Sequence, residues 1–502
     1  MSNYRTFVKN NLIVLSGHLL IYAQGIILMP IIIKTIGVKV YGGYSILITS
    51  VGFLMAIASF GVGFRRNRFL PAAQDAEERR ALFYPPFYVN LASLMLLSLV
   101  LIILYPTLDR LFFKGDILFS IWLVVPYYFF NLLYGQTTGY FRYTHRISCF
   151  NYSTLTYACL NIIMILLLSY LAYELTLNVL FSIQIISSIL VALPLTIKMI
   201  QEIGLKFAIP NIQDLFDDIK LGFPLVLAYF VDFILNSSDK FVITAYISVT
   251  AVGYYNAAYA LGSLIILIPT ISGVVLPPLI SKAVDTDNEV EARTMINYTI
   301  KGFLLLGIPF VVGSVVMSKP LLLLLTNTEV ANKAFFITPI VSLGIIFYGL
   351  CVILSNVLIV RMKTAKIFNI HIVSAILNIS LNLLIIYFIR NILVAAITTC
   401  ISYFISFVIM NYVVVNYWFV DYDLKAIIKS IVASLCMGIL LFYISSWLGT
   451  GTLRISYVLG EVIVGIIIYF LAILLFRTFS SKELIYLKKL VVNLGYATEK
   501  GG

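Results

Sequence analysis

The sequence is poor in charge: Asp, Glu, Lys and Arg make up 11% of its 502 residues, roughly half the share usual in a water-soluble protein. With 61% hydrophobic residues and a mean hydropathy of +1.02, no stretch is polar enough to stand as a soluble domain. Five cysteines, Cys149, Cys159, Cys351, Cys400 and Cys436, lie scattered in apolar stretches without metal-ligand spacing, and they read as packing residues. Three isolated histidines offer no metal cluster. A phosphate loop, H-E-x-x-H and G-x-S-x-G are all missing, which argues against an enzyme and against an ATP-driven pump. Period-2 alternation is missing too, and its absence excludes a membrane barrel.

What remains is a series of apolar runs of about 20 residues, each long enough to cross a hydrocarbon core of about 30 Å as a helix. Lipid offers the backbone no hydrogen bonds, so the runs must be helical. About fourteen spans follow, from 12–33 to 455–476. The first, Leu12 to Ile33, is too long for a signal-peptide core and has no small-residue cleavage site after it, so it reads as a retained span. With both termini cytoplasmic, the inside segments hold about 25 of the 34 Lys and Arg. The net charge of +12 is therefore a topology signal, dispersed among spans, and predicts no nucleic-acid partner. From Ser480 onward, SSKELIYLKKLVVNL reads as an amphipathic helix at the cytoplasmic membrane surface.

An internal repeat orders the spans. Ile31–Leu47, IIIKTIGVKVYGGYSIL, aligns without gaps on Val242–Ala258, VITAYISVTAVGYYNAA, at a shift of 211 residues. Gly42 falls on Gly253, Tyr44 on Tyr255, Ile36 on Ile247 and Val38 on Val249. The shift equals six spans, and an even number makes the copies parallel, related by an axis along the membrane normal. The predicted fold is all-α and polytopic. It has a six-helix lobe over 1–217, a second over 218–416, and two additional helices with a cytoplasmic tail over 417–502.

Charges and polar groups within spans are the candidate site residues, because each is expensive in lipid unless it faces protein or water. Asp232 lies 12 residues beyond Lys220, about 18 Å along a helix and close to mid-membrane. Tyr229, Asp232, Asn236 and Asp239 share one helical stripe, as expected of a cavity lining. The alternative is that Asp232 caps a neighbouring helix or pairs with a buried base. In the first span His18 falls on Tyr229 and Gly25 on Asn236 under the same shift, so the lobes present matching polar faces. A lone histidine there can equally serve a backbone carbonyl. Asp232 falls on Ile21, so the acid belongs to the second lobe alone.

At the inner end of the second span, FGVGFRRNRFLPA (Phe60 to Ala72) puts Arg65, Arg66 and Arg68 where an anionic headgroup would sit. Guanidinium forks suit phosphate oxygens, although a basic cluster after a span is also a topology anchor. Lys34 and Lys39 read as snorkelling anchors at the outer surface, Lys301 and Glu461 as interfacial groups, and the adjacent Asp239 and Lys240 as an interlobe or interfacial pair. Pro269 and Pro277-Pro278 mark the eighth span as the one most prone to bend.

The 6+6+2 layout, the stretch NSSDKFVITAYISVTAVGYYNAAYAL (Asn236 to Leu261) and FGVGFRRNRFLPA resemble the polysaccharide-specific flippases of the Wzx type, in the multidrug/oligosaccharidyl-lipid/polysaccharide exporter superfamily. The resemblance implies translocation of an undecaprenyl-diphosphate-linked oligosaccharide, an O-antigen or capsule repeat unit, from the cytoplasmic to the outer face of the bacterial inner membrane by alternating access. The polar stripes and the arginine cluster make Arg65, Arg66, Arg68, His18, Tyr229 and Asn236 the candidate substrate contacts, and Asp232, Asp239 and Lys240 the lumen or ion-coupling groups; of these, Arg68 and the Asp239-Lys240 pair match residues common in the family. No cofactor or metal is expected, coupling to protons or sodium ions is, and the implied partners are membrane lipids, a polysaccharide polymerase and a chain-length regulator. The chain departs from the arginine-rich lumen of lipid II flippases. The competing expectation is a cation-coupled multidrug antiporter of the same superfamily.

Overall fold

The computed structural model describes residues 24–110, 115, 119–171, 174–207, 211–448 and 455–478. Among these, every regular element is helical. In chain order they are α1 (Gln24–Thr35), α2 (Val38–Ala58), α3 (Phe64–Phe69), α4 (Ala76–Leu108), α5 (Val124–Tyr143), α6 (Ile147–Tyr170), α7 (Leu177–Ile203) and α8 (Ile212–Tyr246). There follow α9 (Val249–Gly262), α10 (Leu267–Asp285), α11 (Glu289–Leu325), α12 (Thr328–Ala334), α13 (Ile337–Val360), α14 (Thr364–Ile389), α15 (Ile392–Val415), α16 (Leu424–Leu448) and α17 (Ile455–Leu475).

Eleven helical segments among the described residues are long and apolar enough to cross a membrane, α9 and α10 counting as one. The three other expected spans also carry helices: the described part of the first is α1, and α5 and α8 cover the fourth and seventh. The protein is a polytopic all-α membrane protein. His18 and the expected tail helix from Ser480 lie outside the described residues.

Polar residues start the helices where the chain leaves the apolar layer. Asp75 caps α4 by accepting from the Glu78 N–H at 2.7 Å, while Glu78 accepts from the Gln74 N–H at 3.1 Å. Asn211, Asn288 and Asn327 cap α8, α11 and α12 in the same manner. The eighth span is interrupted by a 3₁₀ turn at Ser263–Ile266, just ahead of Pro269, whose missing N–H weakens the ladder there. Pro277 and Pro278 lie inside the continuous helix α10.

The chain forms two compact units, one within Ile13–Ala257 and His371–Thr398, the other within Ala258–Ile370 and Thr399–Gly502. In the first, Leu70, Phe83, Tyr84, Tyr140, Phe141, Val191, Leu195, Met199 and Ile203 form a core joining α4, α5 and α7 beside α3. Their inner ends are tied by polar bonds: Arg80 Nε donates to the Ile203 carbonyl, Tyr84 Oη to that of Gly204 at 2.5 Å, and Arg146 pairs with Glu202. This holds α5 in place beneath the arginine cluster.

In the second unit Leu305, Met317, Ala433, Met437, Leu441, Val458, Tyr469 and Ile473 pack α16 and α17 onto α11. Lys301, expected at the interface, is 8% exposed; its Nζ lies 2.7 Å from Asp423 Oδ2 and 3.4 Å from the Thr478 carbonyl. Glu461 is likewise buried, within α17.

Candidate functional site

The turn after α2 aims the three arginines in different directions. Gly61 and Gly63 take φ of +77° and +104°, which L side chains rarely adopt, and the reversal starts α3 at Phe64. Arg65 faces α8: its side chain pairs with Asp214, and its backbone N–H donates to Asp218 Oδ1 at 2.8 Å. Arg68 is exposed, its guanidinium 5.6 Å from the Phe69 ring centre.

Arg66 turns inward and is 9% exposed. Its Nε and Nη2 donate to Asn67 Oδ1 at 3.2 and 3.1 Å, and its Nη1 donates to Gln136 Oε1 on α5. Both partners are neutral amides, and among the described residues no carboxylate pairs with this guanidinium. Burial pulls it down to about 10, so it stays charged at neutral pH. The guanidinium also lies 6.0 Å from the Phe83 ring centre and feels the Asp218 charge, yet its hydrogen bonds go to amide oxygens alone, which leaves it a good anion receptor.

Arg66 lines a cleft of about 320 Å³. Asn67, Asn90, Gln136 and Tyr229 add polar groups, and Phe64, Val62, Leu225 and Val226 add apolar wall. The rim is closed where the α2–α3 turn meets α8: a β-carbon on Gly61 would overlap the Gly222 backbone, and one on Gly222 the Gly61 carbonyl. Of the expected substrate contacts, the structure therefore brings Arg66 and Tyr229 to one cleft, with Arg65 latched beside it. Arg68 points away.

The rest of the α8 stripe lies deeper. Asp232 Oδ1 is 3.3 Å from His371 Nδ1 on α14, so the acid has a basic partner. Asn236 Nδ2 donates to the Asp232 carbonyl at 2.8 Å along its own helix. Asp239 is 3% exposed and accepts from the Tyr255 hydroxyl and from the Lys240 N–H at 2.8 Å. Asp239 of α8 thus holds Tyr255 of α9. Beside it Ser238 donates to Asn378 at 3.0 Å, and Asn382 and Thr398 extend the buried chain.

Asn67, Asn90, Gln136 and His371 were not expected as site residues. His371, Ser374, Asn378 and Asn382 recur at i, i+3, i+7 and i+11 on an apolar helix, so the stripe rule that singled out α8 also marks α14. Asn90 and Gln136 lie on different helices, α4 and α5, and only tertiary packing joins them.

A family model described as polysaccharide biosynthesis protein matches residues 7–284, and one described as MatE matches residues 224–384. No curated protein matches the chain. Among solved structures, the lipid II flippase MurJ in an inward closed conformation is similar with a TM-score of 0.73 at 17% identity, covering 96% of this chain and all of that one. An inward-facing multidrug resistance MATE family transporter of the MOP superfamily gives 0.64 at 14% identity, over 78% of this chain and 94% of that one. A MATE in the straight conformation gives 0.54 at 13% identity, over 82% and 95%. The chain belongs to the polysaccharide biosynthesis protein family and has the fold of the MOP exporter superfamily.

Proposed function

We propose that the protein is a flippase that carries an undecaprenyl-diphosphate-linked oligosaccharide, an O-antigen or capsule repeat unit, from the cytoplasmic to the outer face of the bacterial inner membrane. The observation that carries this reading is Arg66, a buried guanidinium with neutral partners opening on a cleft where a positive-inside topology puts the cytoplasmic headgroups. A diphosphate supplies the hydrogen-bonded anion that Arg66 lacks, and the lipid tail stays in the bilayer. Alternating access of two six-helix lobes, 1–217 and 218–416, completes the transfer. The structurally similar MurJ is a lipid II flippase, which supports the class. A polysaccharide polymerase and a chain-length regulator are the proposed partners on the far side.

A second reading, a cation-coupled multidrug antiporter, is favoured by one observation: the Asp232 side chain is 45% exposed beside His371, an acid open to a proton, a sodium ion or a cationic drug. In the flippase the same pair is the proposed coupling site. Deleting the gene separates the two. Loss of surface glycan with build-up of the lipid-linked repeat unit on the inner leaflet is expected; unchanged glycan together with new drug sensitivity sinks the flippase and leaves the antiporter.

A further inference from the structure

We propose that the Arg66 cleft is a sugar-phosphate subsite, in which Arg66 holds a phosphate oxygen and Asn90 accepts a hydrogen bond from the sugar attached to that phosphate. This rests on reading Arg66 as the anion anchor. Asn90 is 4% exposed; its Nδ2 donates to the Val62 carbonyl at 3.3 Å, and its Oδ1 has no hydrogen-bond partner. The bond to Val62 fixes which amide atom is which, because the flipped amide would set two acceptors face to face. A buried acceptor left unmade is a penalty that a ligand donor removes.

Arg66 and Asn90 line one cleft and make opposite demands. The N–H groups of Arg66 beyond its three amide bonds call for an anionic acceptor. Asn90 Oδ1 calls for a donor. Inorganic diphosphate, an acceptor when ionised, meets only the first demand. A cationic drug meets the second and is repelled by the first. A sugar phosphate carries both groups one pyranose apart, and the C–H face of the ring matches the wall of Phe64, Leu225 and Val226. The volume of about 320 Å³ is at the low end for ligand pockets, enough for the first sugar of a chain and too small for a whole repeat unit.

The test is calorimetric titration of the full-length protein in nanodiscs with glucose 1-phosphate and with inorganic phosphate. The sugar phosphate is expected to bind about tenfold tighter, the size of one good added hydrogen bond. Asn90→Leu should erase that advantage while phosphate affinity holds. Asn90→Ser, which keeps a small acceptor, should retain part of it and guards against misfolding of the leucine variant. Arg66→Gln should weaken both ligands.

Equal affinity for the two ligands, or an advantage that survives Asn90→Leu, overturns the subsite and leaves the anion anchor standing. Phosphate binding untouched by Arg66→Gln overturns the anchor itself. Displacement of glucose 1-phosphate by undecaprenyl-diphosphate-linked glucose in the nanodisc is the expected sign of a lipid-linked source. Displacement by UDP-glucose alone overturns it.

Discussion

Gly42 and Gly253 are counterparts at a shift of 211 residues, and their helices touch at these two positions. A β-carbon on Gly42 would overlap the Val249 carbonyl oxygen, and one on Gly253 the carbonyl oxygen of Val38, itself the counterpart of Val249. Such reciprocity, in which i meets j′ and j meets i′, is what a two-fold relation between repeats requires. The start of α2 and the start of α9 are pressed backbone to backbone, and only glycine permits it.

Gly42→Ala or Gly253→Ala should therefore push the two helices apart and destabilise the protein by about 1–3 kcal/mol. Gly52→Ala on the same α2 helix meets nothing within 4 Å and should be neutral. Thermal unfolding of the detergent-purified variants checks this; equal midpoints for Gly42→Ala and Gly52→Ala would mean the contact is not tight.

The three arginines should rank by what holds them. Arg66→Ala removes a buried cation from the cleft and should lower transport about tenfold or more, given about 1.5–3 kcal/mol for charged hydrogen bonds. Arg65→Ala breaks a pair whose side chains are 32% and 57% exposed, worth less than about 1 kcal/mol. Arg68→Ala should be silent. Glycan display in a deletion strain complemented with each variant gives the order, and a larger loss for Arg68 than for Arg66 would place the anion elsewhere.

The fold was open to sequence reasoning because lipid imposes one strong rule: among the described residues, the apolar runs are helical, with a 3₁₀ break just ahead of Pro269. The repeat was legible in Gly42 and Gly253, though that they touch was not. The site was only half legible. Arg66 could not be told from Arg65 and Arg68 by type, since the distinction comes from Gln136 on α5 and Asp214 on α8, 70 and 149 residues further along the chain. What sets Asn90 apart on its 33-residue helix, an unpartnered Oδ1 at the cleft, is visible only in the fold.

Lys301 should anchor the appended helix pair. Its Nζ joins α11 to Asp423 at the start of α16 and to the Thr478 carbonyl after α17. Lys301→Met removes the charge and keeps the volume, leaving Asp423 without its partner. Because that carboxylate is 38% exposed, water takes over part of the lost interaction, and the expected loss is about 1–2 kcal/mol, below the usual figure for a fully buried pair. The unfolding midpoint should fall, with transport per folded molecule intact. A transport defect at unchanged stability would assign Lys301 to the pathway.

Asp232 and His371 should act as one unit. Asp232→Asn and His371→Gln each remove one partner of the 3.3 Å acid–imidazole contact between α8 and α14. If the pair couples transport to an ion, each single change should impair turnover, and the double change should be no worse than the more severe of the two. Glu461→Gln, a buried carboxyl in α17, packed with α16 and α11, is the matched control and should leave turnover largely intact. Turnover in proteoliposomes under an imposed proton or sodium gradient reads all four variants. Additive losses would show that the two residues serve separate ends, and equal losses for Asp232→Asn and Glu461→Gln would remove the coupling role from the α8 stripe.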